Sequence, residues 1–229
     1  MFHFLLGSIL GSFFCVLAER WPLRINFWSD RSRCPHCQRI LAPYELIPLV
    51  SYLWLKGRCR TCHKPIAFSY FLCELILGLL FFLIGSPSFS PSSFSSISLF
   101  IWVSTAFILS VTDYFYLALD AWLLYLAGSL LWGYLLVTNH QFSWLILGSF
   151  LFVYFIGKKS TAIGEGDLLI FLIWFPWLTW YQIYGLLFVA SGSGILYFLW
   201  YRYIKKERLV RLPFVPFLSL GLFVSFYLI

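Results

Sequence analysis

Apolar residues in this chain arrive in long, nearly unbroken runs, at about 2–18, 67–85, 97–112, 121–138, 142–157, 168–180, 181–201 and 213–229. A helix needs roughly 20 residues to cross a hydrocarbon core of about 30 Å. The runs therefore predict an all-α polytopic membrane protein with about eight transmembrane helices, the fifth and sixth short and the sixth kinked at Pro176. The alternation of apolar and polar residues that marks the strands of a membrane β-barrel is missing. The first run is preceded by no Lys or Arg and followed by no small-x-small cleavage pattern, so it is expected to stay as a span rather than leave as a signal peptide.

Composition agrees with the pattern. The 229 residues are 61% hydrophobic, 22% aromatic and only 11% charged, and mean hydropathy is +0.86. A soluble domain of this size could not bury so much apolar surface. The net charge of +7 would suggest nucleic acid in a soluble protein, but the positions of the sixteen Lys and Arg residues have another explanation. Nine lie from Arg20 to Lys64, two are Lys158 and Lys159, and five run from Arg202 to Arg211. With eight spans, all fall in the connections after spans one, five and seven. By the positive-inside rule those connections are cytoplasmic, both termini lie outside, and no nucleic-acid partner is expected.

The same topology places Asp113 and Asp120 in the third connection and Glu165 and Asp167 in the fifth, all at cytoplasmic helix ends. Asp113 closes span three and Asp167 opens span six, at one membrane depth. If those helices touch, the two carboxylates face each other. Asp167 ends the tetrapeptide Gly164-Glu165-Gly166-Asp167, in which two glycines let another chain approach and the aspartate starts a helix whose dipole favours its charged form. Taken alone, that tetrapeptide is equally well a helix cap. Glu74 is the one acidic residue inside a predicted span, and such a group usually marks a function or a partner. Two uses are open: pairing with an Arg of the preceding loop, or lining a cofactor pocket.

Between the first two spans lies the only sizeable polar segment, residues 19–66. It is too small to fold on an apolar core alone. It carries Cys34-Pro35-His36-Cys37 and Cys59-Arg60-Thr61-Cys62, two C-x-x-C pairs with 21 residues between them. Four thiolates in two close pairs suit the tetrahedral preference of zinc. Disulfides are the competing use, disfavoured in a reducing cytoplasmic loop. The expected organisation is thus a first helix at 1–18, a cytoplasmic zinc-ribbon-like insertion at 19–66 with Cys34, Cys37, Cys59 and Cys62 as ligands, and a transmembrane core at 67–229. Cys15 and Cys73 fall inside spans and are read as packing residues.

Taken together, these residues resemble the type IV prepilin peptidases, membrane aspartyl proteases of the Gly-x-Gly-Asp kind. The resemblance runs from Gly11-Ser12-Phe13 and Arg20 through both C-x-x-C pairs and Ile47-Pro48-Leu49-Val50-Ser51-Tyr52-Leu53. It continues through Lys56-Gly57-Arg58-Cys59-Arg60, Pro65-Ile66, Glu74-Leu75, Gly78, Asp113 and Gly164 to Asp167, and ends at Leu212-Pro213-Phe214-Val215-Pro216-Phe217. The chain length and tail look similar to the competence or pilus peptidases of Gram-positive bacteria. The resemblance implies Asp113 and Asp167 as the catalytic pair, supported by Gly164, Gly166 and Asp120. It further implies prepilin or pseudopilin substrates cut on the cytoplasmic side of the bacterial cell membrane. It also implies a second activity, N-methylation of the new N-terminus by S-adenosylmethionine, associated with the cysteine insertion. A transporter or a zinc-containing assembly scaffold is the alternative: the first calls for midplane acids and related halves, the second would tolerate loss of both aspartates.

Overall fold

A computed structural model of the protein describes residues 1–22, 31–86, 94–117, 119, 121–138, 142–157, 164–205 and 212–228. The helices are α1 (Phe2–Arg20), α2 (Val50–Trp54), α3 (Phe68–Ile84), α4 (Ser96–Tyr116), α5 (Ala121–Val137), α6 (Trp144–Gly157), α7 (Glu165–Trp174), α8 (Trp180–Trp200) and α9 (Val215–Leu228). Every apolar run carries a helix, and among the described residues α2 is the one α-helix outside them. Among the described residues, Phe2–Arg20, Ser96–Tyr116 and Trp180–Ile204 are long and apolar enough to cross a membrane. The break at Pro176 is a 3-10 turn, Phe175–Trp177, where the proline cannot continue the α-helical hydrogen bonding. The chain divides into two compact units, Met1–Phe89 and Ser90–Ile229.

The first unit is built on an antiparallel pair, α1 against α3. Small residues let the backbones meet: a Cβ on Gly7 would fall 2.5 Å from the Leu77 carbonyl oxygen, and one on Gly11 2.6 Å from that of Cys73. Glycines four apart on one helix face are a common solution in apolar surroundings, where there is no water to drive association and close van der Waals contact must do so. At one end of the pair the Tyr70 hydroxyl donates to the Glu19 carboxylate at 2.7 Å, and at the other Gly85 abuts the His3 ring. Between α1 and α3 the chain forms two small loops, each closed by one antiparallel bridge, Arg33 to Ile40 and Arg58 to Pro65.

In the second unit α9 lies between α4 and α8. Against α4 it runs antiparallel: Ser110 and Ser219 hydroxyls meet at 2.6 Å, and Trp102 packs edge-on to Phe226. Tyr197 of α8 meets Phe217 of α9. A second group joins α5, α6 and α7. The Trp132 indole donates to the Ile173 carbonyl at 2.9 Å, and Phe150 stands edge-on to Phe175.

Gly11→Leu should cost about 1–3 kcal/mol by overpacking the α1–α3 contact, whereas Gly148→Ala, with open space at its Cα, should leave stability unchanged. Thermal unfolding of the two variants in detergent checks the difference.

Candidate active site and metal centre

Asp113 sits in the last turn of α4, which extends four residues beyond the predicted end of its apolar run. Its carboxylate is buried at 8% exposure, and burying a charge without donors is costly. The donor comes from 102 residues away: the Val215 backbone N–H, first of α9, reaches Asp113 Oδ2 at 3.0 Å, and the Phe214 amide adds to it. The first amides of a helix have no partner inside it and carry the positive end of its dipole. Pro213 and Pro216 flank this start and set the entry of the chain into α9. The Pro-Phe-x-Pro-Phe element thus presents backbone donors to Asp113, a role that no side chain in the sequence signals.

Asp167 stands in the first turn of α7, half-buried, while Gly164 and Glu165 are exposed. Its carboxylate folds back over the start of its own helix, so that a Cβ on Gly164 would lie 3.2 Å from Asp167 Oδ2. Gly166 lies against the segment that follows α4, where a Cβ would fall 2.7 Å from Leu119 Cδ1. That close approach sets the segment just after α4 against the first turn of α7. Asp113 and Asp167 are near enough to act on each other electrostatically. Asp120 lies outside the described residues.

Glu74 has a backbone partner in this structure. It is buried in α3, and its Oε2 accepts the Leu49 backbone N–H at 2.7 Å. A backbone donor leaves no trace in sequence, which is why this partner was not foreseen.

The two C-x-x-C loops repeat one geometry. The N–H of the first cysteine donates five residues on, Cys34 to Arg39 and Cys59 to Lys64, and its carbonyl accepts four residues on, from Gln38 and from His63. Gln38 and His63 both have φ near the left-handed region, at 57° and 55°. The loops face each other so that the four Sγ atoms all lie within 4.8 Å, with Cys34 to Cys62 at 3.8 Å and Cys37 to Cys59 at 3.9 Å. Around an ion with metal–sulfur bonds of about 2.3 Å, the edges of a tetrahedron measure about 3.8 Å. The cluster can hold a metal ion, and neither His36 nor His63 belongs to it. Backbone N–H groups of Cys62 and Thr61 turned toward Cys59 lower its pKa to about 6, and the Cys37 amide does the same in direction for Cys34. Both sulfurs are thereby favoured as thiolates, the form a metal requires. Beside the cluster, Arg39 and Glu45 pair at 2.7 Å, and Glu45 also accepts the Ala42 N–H, which ties the first loop to the chain that leads to α2.

The chain that carries this four-cysteine module matches a bacterial peptidase class. A family model described as Bacterial Peptidase A24 N-terminal domain covers residues 5–86. A prepilin leader peptidase/N-methyltransferase of Pectobacterium carotovorum is 31% identical across 94% of this chain and 88% of its own length. A type 4 prepilin-like proteins leader peptide-processing enzyme of Escherichia coli is likewise 31% identical, over 97% and 91%. A Bacillus subtilis prepilin leader peptidase/N-methyltransferase is 39% identical over 48% of this chain and 44% of its own. No solved structure matches. The chain belongs to the prepilin leader peptidase/N-methyltransferase family.

Two measurements follow from this geometry. Val215→Pro removes the donor to Asp113 at a helix position that tolerates proline; because Val215 is fully buried, Val215→Ala also loses packing but keeps the N–H, and Val215→Pro should lower stability by about 1–3 kcal/mol more than Val215→Ala, the cost of leaving a buried acceptor unsatisfied. Cys59→Ser should reduce the metal bound per chain well below one equivalent, read by elemental mass spectrometry of the purified protein.

Proposed function

We propose that this protein is an aspartic endopeptidase that removes the leader peptide from prepilin-like substrates, with Asp113 and Asp167 as the catalytic pair. The observation that supports it is that Asp167 lies within electrostatic reach of Asp113, the latter buried and held by the start of α9, the former half-buried at the start of α7. The names of the relatives support the substrate class.

Two carboxylates at close range cannot both ionise cheaply, so one keeps a proton while the other is charged. The charged group takes a proton from water, the water attacks the scissile carbonyl, and the protonated group polarises that carbonyl and then assists the leaving amine. Asp167, exposed toward Gly164 and seated at a helix N-terminus, is the partner assigned to the water. No covalent intermediate is needed. Gly164 and Gly166, without side chains, leave room for an extended substrate backbone beside Asp167, and Asp120 is assigned an accessory place in the same loop region.

The cell membrane is the setting. Eight spans with the basic connections inside put both aspartates at the cytoplasmic face, where a basic leader joins an apolar substrate helix. Zinc is the ion assigned to Cys34, Cys37, Cys59 and Cys62, because four thiolates at tetrahedral spacing are its usual structural site; there it would hold the two loops as one module. The relatives' names also support N-methylation of the cleaved product, for which S-adenosylmethionine is the implied donor. Glu74 does not fit as a ligand for that donor: its carboxylate is buried and bonded to the protein's own backbone.

Asp113→Asn and Asp167→Asn should each lower leader cleavage of a co-expressed prepilin by about a hundredfold or more, the scale of lost acid–base catalysis, with both variants still in the membrane. The pH profile of the unaltered enzyme should need two ionisations, which belong to the pair. Cleavage that persists in Asp167→Asn would exclude the aspartyl mechanism and favour a scaffold.

A further inference from the structure

The short helix α2 has its apolar side turned outward. Trp54 is 83% exposed and Leu53 65%, and Val50 and Ile47 are exposed with them. Only the opposite side is covered, where Tyr52 packs on Phe71 and Phe68 of α3 at ring separations of 5.2 and 6.2 Å. Basic residues Lys56 and Arg58 follow at once, both exposed.

The depth of α2 is fixed by Glu74. Leu49, just before α2, has φ 63° and ψ −48° and lies at the centre of a γ-turn in which the Val50 N–H donates to the Pro48 carbonyl at 2.6 Å. A β-turn-free reversal of this kind is strained for a residue with a side chain and persists only where the surroundings hold it. Here the hold is the bond from the Leu49 N–H to Glu74 Oε2. Glu74 is six residues along α3 from Phe68, which at 1.5 Å per residue is about 9 Å in from its first residue. The 17 residues of α3 span about 26 Å at the same rise, close to the hydrocarbon thickness. With α1 long and apolar enough to cross the bilayer and α3 antiparallel beside it, α2 is drawn down to the headgroup–acyl boundary. An otherwise desolvated amide at that depth needs an internal acceptor, and Glu74 supplies it.

We propose that α2 is an interfacial wedge: Ile47, Val50, Leu53 and Trp54 lie in the boundary layer of an anionic phospholipid leaflet, with Lys56 and Arg58 on its phosphates. Apolar side chains that include Trp, followed by basic residues, have the chemistry of a helix lying in the membrane plane, and tryptophan favours that layer. The cysteine module, joined to α2 through Gly57, is thereby held against the membrane surface, and this assignment does not depend on the peptidase chemistry.

The test places a photoactivatable benzophenone amino acid at position 54, and separately at 53, in the full chain reconstituted into nanodiscs of phosphatidylcholine with or without phosphatidylglycerol. Both sites are exposed, so the substitutions leave packing intact. Mass spectrometry after irradiation should find phospholipid adducts at both positions, as at an exposed α3 position such as Phe82, and none at Thr61 on the cysteine loop. Adduct yield should rise with phosphatidylglycerol, fall when Lys56→Gln and Arg58→Gln are combined, and fall again in Glu74→Ala, which frees Leu49. Absence of lipid adducts at 53 and 54, or crosslinks there to another protein or to residues 94–228 of this chain, would overturn the assignment, as would yields indifferent to both Glu74→Ala and the anionic lipid.

Discussion

The second unit is organised around a buried carboxylate that has to find donors. Asp113 is surrounded by apolar helices, and its buried carboxyl would lack this partner without the Val215 amide at the start of α9. That bond ties the end of α4 to the beginning of a helix a hundred residues later. The rest of the α4–α9 contact follows from it: once the two ends are pinned, the Ser110–Ser219 pair and the edge-on contact of Phe226 with Trp102 fall into antiparallel register. The interaction is directional, since α9 must enter with its amides aimed at the acid. The two prolines of the entry serve that aim by restricting the backbone where it turns into the helix.

Glu74 plays a comparable part in the first unit. It also is an acid buried on an apolar helix, and it also is satisfied by the backbone at the start of another helix, here the Leu49 amide before α2. In both units an acid inside a hydrophobic segment is matched to main-chain N–H groups rather than to Arg or Lys. The physical reason is that backbone donors at helix starts carry no charge to desolvate, whereas bringing a cation alongside would add a second desolvation cost. What differs is access. Glu74 is closed in and structural, while Asp113 has a second carboxylate, Asp167, beside it.

Much of this was legible from the sequence because the signals are one-dimensional. The apolar runs coincide with α1 and α3 to α9, since burial of long apolar stretches in helices leaves few other choices. The spacing of Cys34, Cys37, Cys59 and Cys62 was enough to expect their convergence, and the convergence is present. Asp113 and Asp167 are paired in the sequence by their expected membrane depth, and that pairing enters the site only as part of the proposed function. The unread features are main-chain features. No residue type announces that Val215 will donate to Asp113, that Leu49 will adopt a positive φ under the hold of Glu74, or that Leu119 will lie under Gly166. The helix α2 escaped for a related reason: five residues are too few for a periodic pattern, and its apolar residues merge into a polar, basic segment.

Helix starts recur beside Glu74, Asp113 and Asp167, and under the proposed function that recurrence divides the labour of the site. The amides of α9 hold Asp113 in place from across the fold, so its geometry is set before any substrate arrives. Asp167 lies on the first turn of its own helix, next to two residues without side chains, and is the one of the two left accessible. A buried acid held by backbone amides and a half-buried one at a helix start would divide the roles of proton donor and water activator without needing different residue types, because the environment makes the distinction. A substrate backbone approaching over Gly164 and Gly166 would then meet the half-buried carboxylate first, with the buried one already oriented by the start of α9.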